Sequence, residues 1–224
     1  MEFVYFGVHS RGLMNRMIIG HLDLAGDEIK NTNVNFPDFV KDKHTYGGAF
    51  GQLPALKMPD GELRGQNGAI ARFLAKKYKT KTGGCLYPSH ADAMTSYWID
   101  SWIDKQDEIF KQYGKFTIPL FDAYKEKDKH FLEFITKWLP NFLSTIESTL
   151  EKNDTKWLAG NEISLADFAI GCHIVRLAYN HRYENQHIIR AVIAKHPKTQ
   201  AWAEQFRDHT AEWFSNNNSY EAPF

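Results

Sequence analysis

The stretch from Leu53 to Gly68 combines residue types whose spacing suits the binding of a small anionic peptide. Leu53-Pro54 ends a loop and opens a short strand, and Asn67 is a residue type that favours a helix N-cap. A helix that begins there leaves the backbone N–H groups of residues 66–68 available, and such a helix start attracts carboxylates. The strand edge beside Leu53 can pair with a peptide backbone. We therefore predict a site for a small, anionic, peptide-like ligand here.

Three short elements must position these residues. Ala55 to Met58 alternates as a strand, Pro59-Asp60-Gly61 is a tight-turn signal, and Glu62 to Arg64 returns as the partner strand. Pro54 removes one backbone donor and permits a cis bond before it. The following helix has an apolar face formed by Ile70, Phe73, Leu74 and Tyr78.

The preceding residues predict the rest of one small α/β domain. Glu2 to Phe6 is a β-rich run, Met14 to Leu24 has an apolar helical face, and Glu28 to Val34 can form a second strand. Asn35 to Gly48 is polar and is expected to be irregular. The order β-α-β, loop, β-β-α is that of a thioredoxin-like domain.

After a linker at residues 81–90, no strand is predicted and the pattern is helical. A first long helix carries Met94, Trp98 and Trp102 at four-residue intervals, and Lys127 to Leu150 predicts a second, kinked at Pro140. The apolar helix in the middle of this domain should begin with a capping box formed by Ser164 and Asp167. Pro197 should open the last helix. The predicted fold is α/β plus all-α: a thioredoxin-like domain at residues 1–80, and a helical bundle domain at residues 91–224.

Composition restricts the class of protein. Hydrophobic residues make up 43% and aromatic residues 14%, which excludes a disordered chain. No apolar run is long enough to span a membrane, and the N-terminal residues do not resemble a signal peptide. The 27 basic and 27 acidic residues give no basic stripe for nucleic acid. Two cysteines suit a reducing compartment, so we expect a cytoplasmic protein. The chain has ten histidines, but its sequence contains no H-E-x-x-H motif and no C-x-x-C motif, so no metal site is predicted.

Several of these motifs together resemble one known family. Phe50-Gly51-Gln52-Leu53-Pro54, Asp60-Gly61, Gln66-Asn67 and Ala69-Ile70-Ala71 follow one another as in the glutathione-binding half of the cytosolic glutathione transferases. Trp157 to Asp167 resembles the motif of that family's second domain. Phe6, Arg11, Arg16 and Leu22-Asp23 are most similar to the sigma class, which includes the glutathione-dependent prostaglandin D isomerases.

The resemblance implies a catalytic tyrosine. A free thiol has a pKa of about 8.5, and lowering it by about two pKa units requires roughly 2.7 kcal/mol of selective thiolate stabilisation. The resemblance assigns this role to Tyr5, which would donate a hydrogen bond to the glutathione thiolate, with Arg11 as a nearby cation. Ser10 is the alternative, because other classes of the family use a serine in this loop.

The resemblance also implies a set of glutathione contacts. Gln66 and Asn67 would hold the γ-glutamyl end, while the backbone of Leu53, between Gln52 and Pro54, would pair with the cysteinyl residue. Three further implied contacts lie elsewhere. Phe36 stands where sigma enzymes have a tryptophan. Lys41 would bind the glycyl carboxylate, with Lys43 or His44 as alternatives. Asp100, one turn from Asp104, would reach the α-amino group from the partner subunit of a homodimer.

The predicted function is that of a glutathione transferase with glutathione as co-substrate. It would conjugate glutathione to a hydrophobic electrophile, or use it to reduce peroxides or isomerise prostanoids. Aromatic residues that could line the second substrate's site are Tyr97, Trp98, Trp102 and Tyr113. The alternative is a non-catalytic binding or structural protein of the same fold, which the departures from the family pattern at His9, Leu13, Phe36 and Asn67 keep open. A redox enzyme of the omega kind would require a cysteine near Ser10, and there is none.

Overall fold

The structure, a computed structural model, describes residues 1–88 and 93–216. Its contacts group the chain into two compact units. The first contains the described residues up to Pro88 together with the last described helix from Glu212 onward. The second contains the described residues from Ala93 to Ala211. The domain limits 1–80, 81–90 and 91–224 stay a prediction. The grouping of Glu212 with the first unit depends on contacts between residues that are distant in sequence.

The first unit is built on a four-stranded mixed sheet. Its strands are β1 (Glu2–Tyr5), β2 (Lys30–Asn33), β3 (Ala55–Lys57) and β4 (Leu63–Gly65), in the order β2-β1-β3-β4. β1 and β2 are parallel, and the other two pairs are antiparallel. Helix α1 (Leu13–His21) follows β1 and packs against α4 (Asn67–Lys77), which follows β4. The predicted thioredoxin-like order is confirmed.

The prediction of an irregular segment at residues 35–48 is wrong. Two short helices occupy it, α2 (Phe36–Lys41) and α3 (Lys43–Gly47). Pro37 lies in the first turn of α2, where its missing N–H costs nothing. The side chain of Asp42 caps α3 by accepting a hydrogen bond from the backbone N–H of Thr45 at 3.1 Å. Helices of six and five residues are too short to show an apolar periodicity, so local caps define them.

The second unit is helical, and its described residues contain no strand. The helices are α5 (Ala93–Thr117), α6 (Lys127–Glu133), α7 (Leu139–Asn153), α8 (Leu165–Tyr179), α9 (Gln186–Ile193) and α10 (Pro197–His209). Every residue of α8 up to Ala178 is buried, which places this helix at the centre of the unit. The predicted combination of a thioredoxin-like domain and a helical domain is confirmed.

Two predictions within the helical region need correction. The helix expected from Lys127 to Leu150 is interrupted by a π-helical segment, Phe134–Trp138, directly before α7. Pro140 lies in the first turn of α7, so it cannot donate a backbone hydrogen bond to the preceding turn. Pro197 does open a helix, but that helix is not the last. It is followed by α11 (Ala211–Asn216).

The predicted capping box at the start of α8 is present. The carboxylate of Asp167 accepts hydrogen bonds from the backbone N–H of Ser164 and of Leu158, each at 2.9 Å. It also accepts one from the indole N–H of Trp202 at 2.9 Å, which ties α8 to α10. Because Asp167 is fully buried, these donors supply the hydrogen bonds that water would otherwise provide.

Candidate active site

The sheet register brings the predicted site residues to one end of the first unit. Tyr5 ends β1, and Val4 pairs with Ala55, the residue after Pro54. Ala55 in turn pairs with Gly65, the residue before Gln66. Tyr5, the Leu53-Pro54 bond and the start of α4 therefore lie at the same end of three neighbouring strands, β1, β3 and β4. The Leu53-Pro54 peptide bond is cis.

The hydroxyl of Tyr5 is oriented by the loop that follows β1. The backbone N–H of Arg11 donates a hydrogen bond to the Tyr5 hydroxyl oxygen at 3.0 Å. A tyrosine hydroxyl has one proton to donate, and this arrangement uses its oxygen as an acceptor. The ring of Tyr5 is buried against Gly12, where a Cβ atom would lie 2.5 Å from the Tyr5 Cδ1 atom. Glycine is therefore required at position 12 for this approach.

A buried arginine holds the same loop to the sheet. The guanidinium of Arg16 donates hydrogen bonds to the backbone oxygens of Phe6, at 2.8 Å, and Val8. It also donates to the side-chain oxygens of Asn31 at 3.2 Å and Asn33 at 3.0 Å, both on β2. The guanidinium carbon lies 5.4 Å from the centre of the Tyr5 ring. The sequence pattern predicted no structural role for Arg16, which lies within a run of α1, Leu13 to Ile19, that is buried on all sides.

Ser10 and Arg11 lie in a single 3₁₀ turn, Ser10–Gly12, which joins β1 to α1. Ser10 has a left-handed φ of +33°, an uncommon conformation for a residue with a side chain. The observed hydrogen bond in this loop runs from Arg11 to Tyr5. The choice between Tyr5 and Ser10 as the activating residue stays a prediction.

The start of α4 differs from the sequence-based expectation. Asn67 is the first helical residue, and the N-cap position is taken by Gln66, which has a φ of +75°. The side-chain oxygen and the backbone oxygen of Asn67 both accept hydrogen bonds from the side-chain amide of Asn15, which is fully buried. Asn67 therefore anchors α4 to α1 instead of capping its own helix. The side-chain amide of Gln66 donates to the Gln52 side-chain oxygen at 3.5 Å, so these two predicted contact residues lie together.

Phe36 and the three candidates for binding the glycyl carboxylate lie on the two short helices that follow β2. The rings of Tyr5 and Phe6 have centroids 5.3 Å apart, and those of Phe6 and Phe36 are 5.8 Å apart. The Lys41 side chain is 79% exposed, with its ammonium 4.0 Å from Asp38. His44 shares a hydrogen bond of 2.9 Å with the backbone oxygen of Gly48. The choice among Lys41, Lys43 and His44 stays a prediction.

The remaining candidates belong to the second unit. Asp100 and Asp104 lie one turn apart on α5, as the sequence predicts. Trp102 and Tyr113, which we considered as substrate-lining residues, are buried in the core of this unit. The Tyr113 hydroxyl forms a hydrogen bond of 2.9 Å with His173 on α8. Tyr97, which is 58% exposed, and Trp98 keep accessible surface on the same helix.

Neither cysteine belongs to a metal cluster among residues 1–88 and 93–216, where no group of three or more histidine, cysteine or acidic residues could hold a metal ion. Cys85 and Cys172 are both free thiols, and burial raises the pKa of the Cys172 thiol.

No helix of the described chain has the length and apolar character needed to cross a membrane.

A thioredoxin-like unit followed by an all-helical unit is the fold of solved glutathione transferases. The chain belongs to the glutathione S-transferase family, because the family described as "Glutathione S-transferase, C-terminal domain" matches residues 89–214. The predicted family and enzyme class are confirmed.

Individual relatives agree with this assignment. Glutathione S-transferase 3 of Caenorhabditis elegans is 26% identical over 208 residues, covering 90% of this chain and 94% of the relative. Hematopoietic prostaglandin D synthase of Homo sapiens is 24% identical over 172 residues, covering 75% and 74%. The structure of the Pi-class glutathione S-transferase of Onchocerca volvulus has a TM-score of 0.74 at 20% identity, covering 99% of this chain and 95% of that one.

Proposed function

We propose that this protein binds glutathione and stabilises its thiolate with the hydroxyl of Tyr5. The observation that supports this most is the 3.0 Å hydrogen bond from the Arg11 N–H to the Tyr5 oxygen. Because that oxygen already accepts a hydrogen bond from the Arg11 N–H, the hydroxyl can turn its own proton toward a ligand sulfur. Hydrogen bonding to the charged form lowers the pKa of a thiol, and the thiolate is the nucleophile.

In the proposed reaction, glutathione first loses its thiol proton to solvent. The thiolate sulfur then forms a bond to an electrophilic carbon of a hydrophobic substrate, and the leaving group departs with the bonding electron pair. Tyr5 keeps its proton throughout and acts as a hydrogen-bond donor. The cation of Arg11 would favour the thiolate by charge.

We propose that the remaining predicted contacts hold the peptide. Gln66 and Asn67 would bind the γ-glutamyl end, and Leu53, flanked by Gln52 and Pro54, would pair with the cysteinyl backbone. Phe36 would contact glutathione from the position where sigma enzymes have a tryptophan. Lys41 would bind the glycyl carboxylate, with Lys43 and His44 as alternatives, and Asp100 of a partner subunit would reach the α-amino group. The sheet register supports this proposal, because it brings residues 53–54 and 66–67 to the same end as Tyr5.

We also propose a sigma-like, cytoplasmic homodimer whose first domain spans residues 1–80, with a linker at 81–90 and a helical domain from residue 91. Isomerisation of prostanoids is a second candidate activity, favoured by the similarity to human hematopoietic prostaglandin D synthase. Reduction of lipid peroxides is a third reaction open to the same thiolate. The alternative of a non-catalytic binding protein gains no support from the relatives.

The proposal is tested by glutathione binding and by conjugation of a generic aryl halide, for the native protein, Tyr5→Phe and Ser10→Ala. We expect all three proteins to bind glutathione, and only Tyr5→Phe to lose rate, by about 10- to 1000-fold. If Ser10→Ala loses the rate instead, the serine is the activating residue. Binding without turnover of aryl halides and prostanoid substrates would favour a binding protein.

A further inference from the structure

The last described helix packs onto the loop that carries the proposed catalytic contact. Trp213 of α11 belongs to the first unit, and its ring centroid lies 5.9 Å from that of His9. His9 is 7% exposed and directly precedes the 3₁₀ turn Ser10–Gly12. The backbone N–H of Arg11 in that turn donates to the Tyr5 hydroxyl. The indole is therefore separated from the Tyr5 hydrogen bond by one short turn of chain.

Gly20 on α1 provides the seat for this indole. A Cβ atom at Gly20 would lie 2.2 Å from the Trp213 Cδ1 atom and 2.7 Å from its ring nitrogen. Both distances are shorter than any contact a methyl group can make, so the ring occupies the space that a side chain at position 20 would fill. Gly12, at the start of the same helix, is required in the same way for the ring of Tyr5. Helix α1 thus receives Tyr5 at one end and Trp213 at the other.

We infer that Trp213 is a positioning residue for Tyr5. Its indole, held between His9 and Gly20, restrains the Ser10–Gly12 turn so that the Arg11 N–H stays aligned with the Tyr5 hydroxyl. The role rests on the proposed function of Tyr5. It goes beyond that function because it assigns the order of the catalytic loop to a residue near the opposite end of the chain. On the other side of His9, Arg16 holds the backbone oxygens of Phe6 and Val8 and does not depend on the indole.

The chain offers two independent ways to remove the contact. Trp213→Ala deletes the ring, and Trp213→Phe retains part of it. Gly20→Ala leaves Trp213 unchanged but fills its seat, while alanine improves the intrinsic stability of α1. Glu212→Ala and Ser215→Ala are matched controls, because both side chains are exposed on α11.

The test measures amide hydrogen exchange at Arg11 together with steady-state conjugation for each variant. We expect Arg11 exchange to accelerate about 3- to 10-fold in Trp213→Ala and Gly20→Ala, less in Trp213→Phe, and not in the controls. The double variant Gly20→Ala with Trp213→Ala should show the same Arg11 exchange rate as Trp213→Ala alone, because without an indole the new methyl group has nothing to displace. We expect kcat to fall by a similar factor while KM for glutathione stays within about 2-fold, since the proposed peptide contacts lie outside the Ser10–Gly12 turn.

The exchange measurement does not depend on turnover, so it separates this inference from the proposed function. If Tyr5→Phe retains full activity but Trp213→Ala still accelerates Arg11 exchange, the catalytic proposal fails and the structural coupling stands. Unchanged Arg11 exchange in folded Trp213→Phe and Gly20→Ala would overturn the inference, even if Trp213→Ala does not fold. Equal acceleration in Glu212→Ala would also overturn it.

Discussion

The backbone N–H of Arg11 donates a hydrogen bond to the hydroxyl oxygen of Tyr5 at 3.0 Å. This contact makes the Tyr5 oxygen an acceptor within the protein and leaves its proton for a ligand. Two further contacts hold the loop after β1 in place. Gly12 accommodates the Tyr5 ring, and Arg16 binds the backbone oxygens of Phe6 and Val8. The orientation of one hydroxyl group thus depends on the geometry of the whole loop.

Arg16→Lys should lower both stability and activity although it keeps the charge. A lysine ammonium cannot reproduce the planar fork that reaches two backbone oxygens and two asparagine side chains. We expect a loss of roughly 2–4 kcal/mol in the free energy of unfolding, measured by urea denaturation. Arg64→Lys is the control, because the Arg64 ion pair with Glu62 is exposed and should contribute under about 0.5 kcal/mol. Equal effects of the two substitutions would contradict the role assigned to Arg16.

Gln66→Gly should separate folding from glutathione binding. Gln66 has a φ of +75°, which glycine adopts without strain, so the free energy of unfolding should stay unchanged or rise by up to about 1 kcal/mol. Loss of the side-chain amide should weaken glutathione binding by roughly 10-fold, measured by calorimetry.

Asp154→Gly provides the matched control for this prediction. Asp154 has a φ of +49° but follows α7 in the second unit and is not one of the proposed peptide contacts. Its glycine variant should share the effect on stability and leave glutathione affinity unchanged. Native-like affinity in Gln66→Gly would remove Gln66 from the site.

The start of α10 should make stability sensitive to acid. The Glu147 carboxylate accepts hydrogen bonds from the backbone N–H groups of Lys198 at 3.0 Å and Thr199 at 2.7 Å. Burial raises the pKa of Glu147, but these bonds outweigh burial and bring it below its ordinary value. A carboxyl whose pKa is lower in the folded state stabilises the protein above its unfolded pKa. That stabilisation is lost as the pH falls through the folded pKa.

Glu147→Gln should therefore flatten the dependence of stability on pH. Between about pH 6 and pH 3, the native protein should lose about 1 kcal/mol more than the variant in the free energy of unfolding. Glu151→Gln, at an exposed position of the same helix, should keep the native slope. The same slope in the native protein and Glu147→Gln would show that this cap does not contribute.

Local patterns were enough to predict some elements. The β3–turn–β4–α4 stretch and the capping box of Ser164 and Asp167 follow from residues within a few positions of one another. The short helices α2 and α3 were missed because one proline and the Asp42 cap define them instead of a periodic apolar face.

Other features depend on contacts between distant residues, which no local pattern contains. Asn67 appeared to be an N-cap because asparagine commonly is one, but its side chain is held by Asn15. The role of Arg16 depends on Asn31 and Asn33 arriving on β2, and the seat of Trp213 depends on Gly20 near the other end of the chain.

The pKa of the glutathione thiol bound to the native protein and to Tyr5→Phe tests the central claim most directly. It is measured from the ultraviolet absorbance of the thiolate as a function of pH. We predict that the native protein lowers this pKa from about 8.5 to about 6.5. In Tyr5→Phe the pKa of the bound thiol should rise most of the way back to about 8.5, while glutathione affinity stays within about 3-fold. An equally low thiol pKa in both proteins would contradict thiolate stabilisation by Tyr5.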